Sequence, residues 1–377
     1  MIVKSLELKD FRNHEHSKIL FSDQFNIIHG NNGQGKTNIL EAIYLCASGR
    51  SHRTSKDIEL IRFSTNSYKI NTFIKTSGLD KDIEISYFSD QKKQIKINEI
   101  PLLKMGALMG NLYAVLFSPE DLFIVKQGPQ ERRRFVDITL SQIKPAYFYD
   151  LQLMSKILKQ RNTLLKSINN KSSLIETLDI WNIKLAEVAA SIFIARNNFA
   201  KALSALAQKQ HDYLTLQKEL ISFNYSCTIE INENTKKSDL IDNYVKALEK
   251  YLSRDLVLGY TSIGPHRDDY DILINQKSLK TYGSQGQQRS AVLSLKIAEI
   301  ELIHNETGEY PILLLDDVMS ELDDNRQKYL MNSIKKVQTF ITCTSDVSFR
   351  KSLGDLCSYY KVENGQVSES FVNDNLQ

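Results

Sequence analysis

The chain has 377 residues, 42% of them apolar and 25% charged, which excludes intrinsic disorder and leaves room for two or three domains with cores of their own. Its 48 Lys and Arg stand against 45 Asp and Glu, and a net charge of +3 neither demands nor forbids a polyanionic partner, since only a local basic patch would bear on that. No apolar run approaches the ~18 residues of a membrane span, the start Met1–Glu7 alternates like a strand and not like a secretory leader, and Cys46, Cys227, Cys343 and Cys357 lack metal-site or C-x-x-C spacing, so a cytoplasmic protein with reduced thiols is expected.

Ile2–Leu8 reads as a strand, Phe11-Arg12-Asn13-His14 as a turn, and Ile19–Phe21 as the return. The apolar run Phe25–Ile28 then meets Gly30-Asn31-Asn32-Gly33-Gln34-Gly35-Lys36-Thr37, which fits G-x-x-x-x-G-K-[ST] at every fixed position. Asn38–Ala47 follows with helical spacing of Ile39, Leu40, Ile43, Tyr44 and Ala47, so the context is strand, loop, helix. This is a phosphate-binding P-loop. Its glycines let successive N–H groups converge on a phosphate, Lys36 brings a point charge, and the Thr37 hydroxyl suits Mg²⁺. The polar, basic stretch Ser48–Thr54 is loop-like; it is either a solvated connection or a place where Arg50 or Arg53 touches nucleotide or DNA.

Tyr68–Ile97 runs in short alternating pieces that predict an antiparallel meander, and Asn111–Phe117 predicts a buried strand. Ser118-Pro119-Glu120-Asp121 is a helix start, with Pro at the first position and acids in the first turn. Gln130–Ser141 is helical and carries Arg132, Arg133 and Arg134, a triplet that is either a solvated or ion-paired face or a DNA contact. Two longer stripes, Tyr147 to Leu165 and Trp181 to Leu206, step by three or four residues and predict an antiparallel helical pair around the break Asn169–Ser173, packing as core. One more strand (Ile221–Cys227) and helix (Ser238–Leu252) precede the polar break Gly259–Asp269, after which Tyr270–Ile274 restores strand character. The expected architecture is α/β: one nucleotide-binding domain from residues 1–118 and 255–377, with a mainly helical inserted domain at 119–254.

Near the C-terminus, Pro311–Leu315 is an apolar run ending in Asp316 and Asp317, as for a buried parallel strand whose acidic tip reaches the edge where a P-loop lies. Asp316 is placed to hold Mg²⁺ opposite Thr37, and Asp317 to orient or deprotonate an attacking water. Ser284-Gln285-Gly286-Gln287-Gln288-Arg289 opens an apolar helix, with Ser284 where an N-cap belongs. It is either an ordinary capped helix or a second anion site serving the nucleotide of another copy, which would make a two-fold dimer with two buried nucleotides.

Ser284–Gln288 resembles the signature motif of ABC-type ATPases, and Ile312–Asp317 followed by Ser320–Asp323 resembles their Walker B strand and D-loop. The layout is similar to the SMC-like branch. Phe11–Asn13, Ser51–Arg53, Phe117–Leu122, Glu131–Phe135, Gly264–Asp269 and Ser284–Arg289 together resemble the RecF family, over nearly the whole chain. The resemblance implies an ABC-type P-loop ATPase head built from both ends of the chain, with ATP and Mg²⁺, ATP-dependent homodimerisation, and binding to single-stranded, gapped or junction-containing DNA. It also implies work with RecR and RecO in loading RecA during recombinational and replication-gap repair. On matching positions it implies ATP contacts for Gly30, Asn31, Asn32, Gly33, Gln34, Gly35, Lys36 and Thr37, with Arg12 beside them. Thr37 and Asp316 are the metal ligands it implies, and Asp317, Lys36 and Ser284 the catalytic residues; Arg53, Arg132, Arg133 and Arg134 are DNA-binding candidates on their basic character alone, equally open to a solvated or ion-paired reading.

Three departures from the wider ABC pattern point to slow, regulatory hydrolysis. Asp317 stands where Glu is usual, the run Phe340–Asp346 has no histidine and leaves Thr344 or Ser345 as a weaker γ-phosphate sensor, and Ser118 stands near the expected Q-loop glutamine. The alternatives are the ATPase subunit of a transporter, which the absent membrane segment and large insertion disfavour, and an ATPase-coupled nuclease, for which no second Asp/Glu/His cluster is seen.

Overall fold

The computed structural model describes residues 1–168, 175–231, 235–345 and 357–369. It divides into two compact units, Met1–Asp121 with Lys296–Gln377, and Leu122–Leu295.

The first unit holds two six-stranded sheets. The outer one is an antiparallel meander in the order β2 (His14–Leu20), β1 (Ile2–Phe11), β4 (Ser67–Lys75), β5 (Lys81–Phe88), β6 (Gln94–Ile97), β7 (Ile100–Pro101). Period-two alternation sets its register: Leu6 and Leu8 lie opposite Thr72 and Ile70, all four buried, whereas Glu7, Lys9, Lys69 and Asn71 fall on the other face. The inner sheet runs β15 (Gln366–Glu369), β14 (Cys357–Glu363), β3 (Phe25–His29), β13 (Thr339–Cys343), β12 (Ile312–Leu315), β8 (Ala114–Phe117). From β14 to β8 every pairing is parallel. Strands β12 and β8 read as unbroken apolar runs, as strands covered on both faces do. Helix α1 (Lys36–Ser48) is buried continuously from Ile39 to Ala47 and touches β1, β4 and β5 of one sheet and β8 and β13 of the other. Apart from Glu41 this stretch is apolar or aromatic on every side, as a helix in such a place is.

The second unit is helical around a small sheet. The helix expected from Ser118 is a 3-10 turn, Pro119–Leu122, running into the single turn α2 (Phe123–Lys126); Pro129 then opens α3 (Pro129–Ile143). The two stripes are α4 (Pro145–Ile168) and the 41-residue α5 (Ile175–Thr215), which pack on each other; the expected break at Asn169–Ser173 lies outside the described residues. Next come β9 (Ile221–Ser226), α6 (Lys237–Lys250), α7 (Leu252–Leu258), β10 (Asp269–Ile274), β11 (Lys277–Ser278), α8 (Leu279–Tyr282) and α9 (Gln285–Thr307). In the first unit α10 (Asp324–Ser333) follows β12.

The return of the chain to the first unit differs from the expected residue 255. β10 pairs antiparallel with β9 along its whole length, Asp269 opposite Ser226 through Ile274 opposite Ile221, so its backbone hydrogen bonds are met inside the inserted unit. The unit therefore extends to Leu295, within α9.

Two fully buried arginines tie this unit together. Arg161 on α4 donates to Asp255 at 2.7 Å, Asn182 at 2.9 Å and Thr261 at 2.8 Å. Arg196 on α5 binds both oxygens of Asp137, at 3.0 and 2.9 Å, and the Pro265 carbonyl. The carboxylate partners and neutral acceptors offset most of the cost of such burial, although Arg161 Nη2 is buried without a partner.

His266, in the loop these arginines hold, yields a pH dependence. Burial pushes its imidazole down to about 4, partly opposed by a hydrogen bond between Nε2 and the Thr261 carbonyl and reinforced by Arg267 and Arg133. The folded value lies below the unfolded one, so the unfolded chain binds the proton more tightly and stability falls as pH drops from about 6.5 toward 4. Urea unfolding at pH 7.5 and pH 5 should show a loss of roughly 2 kcal/mol from this group alone. The loss should shrink by about that amount in His266→Gln; an unchanged pH slope in the variant would exclude His266 as its source.

Candidate nucleotide site

The loop between β3 and α1 is folded by what surrounds it. Gly30 has φ 149° and an added Cβ would lie 2.4 Å from the Val362 carbonyl oxygen of β14, so this position takes only glycine. Gly35, at φ 113°, is crowded by the Asn13 amide in the same way. Two hairpin turns clamp the loop. Asn13, between β1 and β2, donates to the Gln34 carbonyl at 2.8 Å, and buried His14 sets Nε2 3.1 Å from the Gly35 carbonyl. From the β14–β15 turn, Gly365 N–H reaches the same Gln34 carbonyl at 3.0 Å and Asn364 N–H the Gln34 side chain at 2.6 Å.

Lys36 is buried and its Nζ donates to the Gly30 and Asn31 carbonyls at 2.8 and 2.9 Å, which folds the side chain back over the loop. Among the described residues, the N–H groups of Gly33, Gln34 and Gly35 meet no protein acceptor. They and the N-terminus of α1 form a cradle of free donors around one ammonium, the chemistry an anionic phosphate requires.

Across the sheet, Asp316 follows β12. Its Oδ1 accepts from Thr37 Oγ1 at 2.8 Å and from Thr342 Oγ1 at 2.8 Å. Thr342 lies on β13, the strand between those that carry the loop and the aspartates. The same hydroxyl accepts the Asp317 N–H at 2.9 Å, and Asp317 sits in the left-handed region at φ 53° ahead of a 3-10 turn. One buried threonine thus holds the Asp316 carboxylate and the Asp317 backbone together. Sequence reading passed over it inside Phe340–Asp346; the signal was a hydroxyl in an apolar strand, level with the end of the Asp316 strand. Thr344 and Ser345 border the same cavity as Asp317, Asn32 and Ser320, while Asp346 lies outside the described residues.

Arg12 and Arg53 converge elsewhere. Fully buried Glu41 on α1 takes a two-pronged bond from Arg12, at 2.9 and 2.7 Å, and lies 3.5 Å from Arg53 Nη1. Arg12 also donates to the Glu59 carbonyl at 2.8 Å, and Arg53 to Asn38 Oδ1 at 2.9 Å. Burial raises the Glu41 carboxyl, but the bonds from Arg12 and Ser51 and the charges of Arg12 and Arg53 outweigh it and hold the group below its ordinary range. Arg12 commits Nε and both terminal nitrogens to pinning the β1–β2 turn and the Glu59 segment to α1.

In the second unit Ser284 caps α9. Its Oγ accepts the Gln287 N–H at 3.2 Å, and Gln287 Oε1 accepts the Ser284 N–H at 2.9 Å, a reciprocal capping box. The arginine triplet separates by role. Arg132 is buried and makes a two-pronged pair with Asp269 at 2.7 and 2.9 Å, so it cannot meet a phosphate backbone. Arg133 donates to the Asp268 carbonyl at 2.6 Å; Arg134 is the exposed member, 4.0 Å from Glu131.

A loop and an acid-tipped strand separated by one parallel strand, with a helical unit inserted in the chain between them, define the class: an ABC-type P-loop ATPase head. The family model described as RecF/RecN/SMC N terminal domain matches residues 2–368. The chain belongs to the RecF family. It is 66% identical over 97% of its length, and 99% of the relative's, to the DNA replication and repair protein RecF of Ruminiclostridium cellulolyticum. Among solved structures it is similar to that of the recombination mediator protein RecF-ATP in the RecFOR pathway, at TM-score 0.91 and 38% identity over 98% of both chains. An SMC head bound to the C-winged helix domain of ScpA shares the fold, at TM-score 0.56 and 16% identity over 99% of this chain and 98% of that one. Among the described residues no helix is long and apolar enough to cross a membrane.

Thr342 can be tested directly. Thr342→Val leaves the Asp317 N–H without its acceptor and should lower stability by about 1–3 kcal/mol in urea unfolding, whereas Thr342→Ser should stay near wild type. Equal stability of the Val variant would show that water replaces the bond.

Proposed function

We propose that the chain is an ATP-gated DNA-binding clamp of recombinational and replication-gap repair in the cytoplasm. The observation that carries this reading is the buried Lys36 inside a ring of free N–H donors, with Thr37 and Asp316 joined beside it. Gly30 to Thr37 hold the phosphates of ATP. The hydroxyl of Thr37 and the carboxylate of Asp316 are hard oxygen donors that fit Mg²⁺, which when bound supplies charge neutralisation at the β- and γ-phosphates. Asp317, fixed by Thr342, orients the attacking water. As a carboxylate one methylene shorter than the usual glutamate it does so weakly, so hydrolysis is slow and acts as a timer.

The capped start of α9 presents Ser284 and its neighbouring N–H groups to the γ-phosphate held by a second copy, so ATP completes a two-fold dimer. Arg134 and the exposed side of Arg53 are the remaining candidates for DNA phosphate contact among the four arginines first considered. RecR and RecO are the partners the family membership suggests, at single-stranded or gapped DNA.

Self-association and DNA binding measured with ATP, ADP and no nucleotide decide the matter. Only ATP should shift the wild type to a DNA-bound dimer, and Lys36→Ala and Ser284→Arg should both abolish the shift; equal dimerisation in all three states overturns the clamp. Asp317→Asn should retain ATP binding, slow turnover by about a hundredfold or more and prolong the DNA-bound dimer. Unchanged turnover would move the catalytic role to another residue.

A further inference from the structure

The start of α9 is not held by its cap alone. Gln287, whose side-chain oxygen closes the capping box on Ser284, uses its Nε2 to donate to Glu219 Oε1 at 2.9 Å. The other oxygen of Glu219 lies 3.1 Å from Nε2 of His211, a fully buried ring on α5. On its far side the ring places Nδ1 3.1 Å from the Ser294 hydroxyl, back on α9. A chain of polar contacts therefore leaves α9 at its first turn, passes through Glu219 and His211, and returns about two turns later to Ser294, whose hydroxyl also faces the Ser290 carbonyl at 2.9 Å. Burial lowers the His211 imidazole, against the bond and charge of Glu219.

The segment that delivers Glu219 is built for the purpose. After α5 ends at Thr215, Leu216 and Gln217 both take left-handed conformations, φ 53° and 60°, which cost free energy in non-glycine residues. Backbone bonds from Gln217 N–H to the Asp212 carbonyl at 2.9 Å and from Lys218 N–H to the Thr215 carbonyl at 3.2 Å hold the reversal. Gln208 then holds the chain just after the glutamate, accepting the Ile221 N–H at 2.7 Å and donating to the Glu219 carbonyl at 3.4 Å.

We propose that Glu219 is a positioning residue for the signature helix: buttressed by His211, it fixes Gln287 and thereby the direction in which Ser284 and the first N–H groups of α9 face a nucleotide. This rests on the reading that Ser284 serves the ATP of a second copy. The carboxylate acts through Gln287. Without it, Gln287 is free to adopt other rotamers, the capping box opens, and the donors must be ordered at the moment the dimer forms.

The test uses the full chain and three readouts: dimer dissociation constant in ATP, affinity of the dilute monomer for a fluorescent ATP analogue, and thermal unfolding. Glu219→Ala should weaken ATP-dependent dimerisation by about tenfold while the monomer's nucleotide affinity stays at the wild-type value. The reciprocal exchange Glu219→Gln with Gln287→Glu keeps every donor facing an acceptor. Its new amide accepts from His211 and donates to the new carboxylate, which in turn accepts the Ser284 N–H. The exchange should restore dimerisation to within about threefold, a recovery that a general loss of stability would not show, and it decides the question if Glu219→Ala fails to fold. The proposal is overturned if Ser284→Arg abolishes ATP-driven dimerisation while Glu219→Ala leaves it unchanged, or if the exchange variant melts like wild type yet stays impaired. Should Ser284→Arg itself leave dimerisation intact, the two-copy reading of Ser284 fails first, and the role of Glu219 with it.

Discussion

The hydrogen bond from Thr37 to Asp316 spans 279 positions of the chain, and the first unit is arranged so that it can form. Neither residue finds the other through local structure. They meet because β3 and β12 flank β13 in a parallel sheet, so that the ends of the three strands come level at one edge. Thr342 on the middle strand is the spacer that makes the distance right, sharing Asp316 with Thr37 and holding the Asp317 backbone. A 174-residue insertion, from Leu122 to Leu295, interrupts the sequence without disturbing this register, since β8, β12, β13 and β3 pair among themselves.

The loop itself is clamped from both chain ends. Asn13 and His14 come from the first hairpin, Asn364 and Gly365 from the last, and all four act on Gln34 or Gly35. The free N–H groups are thereby fixed in direction before any phosphate arrives, which is the preorganisation that gives fixed dipoles their effect. Glu41 adds a third constraint at the far side of α1 by drawing Arg12 and Arg53 together. Only the carboxylate of this group is fully buried, and such an ion pair is weak evidence for stability; what it gives here is a single placement of the β1–β2 turn, and with it of Asn13 and His14.

Features set by neighbouring residues were legible in the sequence. The P-loop with its strand and helix, the meander from Tyr68 to Ile97 and the cap at Ser284 are all local patterns, and the structure has each of them. What was not legible depends on partners far away in the chain. The extent of the inserted unit turns on β10 finding β9 across 42 intervening residues, Cys227 to Asp268, a pairing that composition and periodicity do not announce. Arg132, Arg133 and Arg134 looked alike as a basic run, yet a helix sends consecutive side chains in different directions, and Arg132 points inward to Asp269 while Arg134 faces solvent. Arg161 and Arg196 were hidden inside stripes that read as apolar core.

That the second unit uses buried arginines at all follows from what it must hold. Its 41-residue helix α5 buries an apolar face along much of its length, and apolar contact alone specifies neither the register of α4 on α5 nor the course of the loop Gly259–Asp268. A guanidinium with fixed acceptors does, because any slip leaves a charge buried without its partner, at a cost of several kcal/mol. Arg161 locks α4, α5 and the Asp255 segment at one point, and Arg196 locks α3, α5 and Pro265 at another. Two such points suffice to fix a helix pair and the loop beside it. The start of α9, described by the same logic, is fixed by uncharged and singly charged groups, Gln287, Glu219, His211 and Ser294, whose bonds are weaker and more easily remade. The strength of the polar ties thus differs across the unit: strongest where helices must not slip, lighter at the helix start that is to meet a nucleotide.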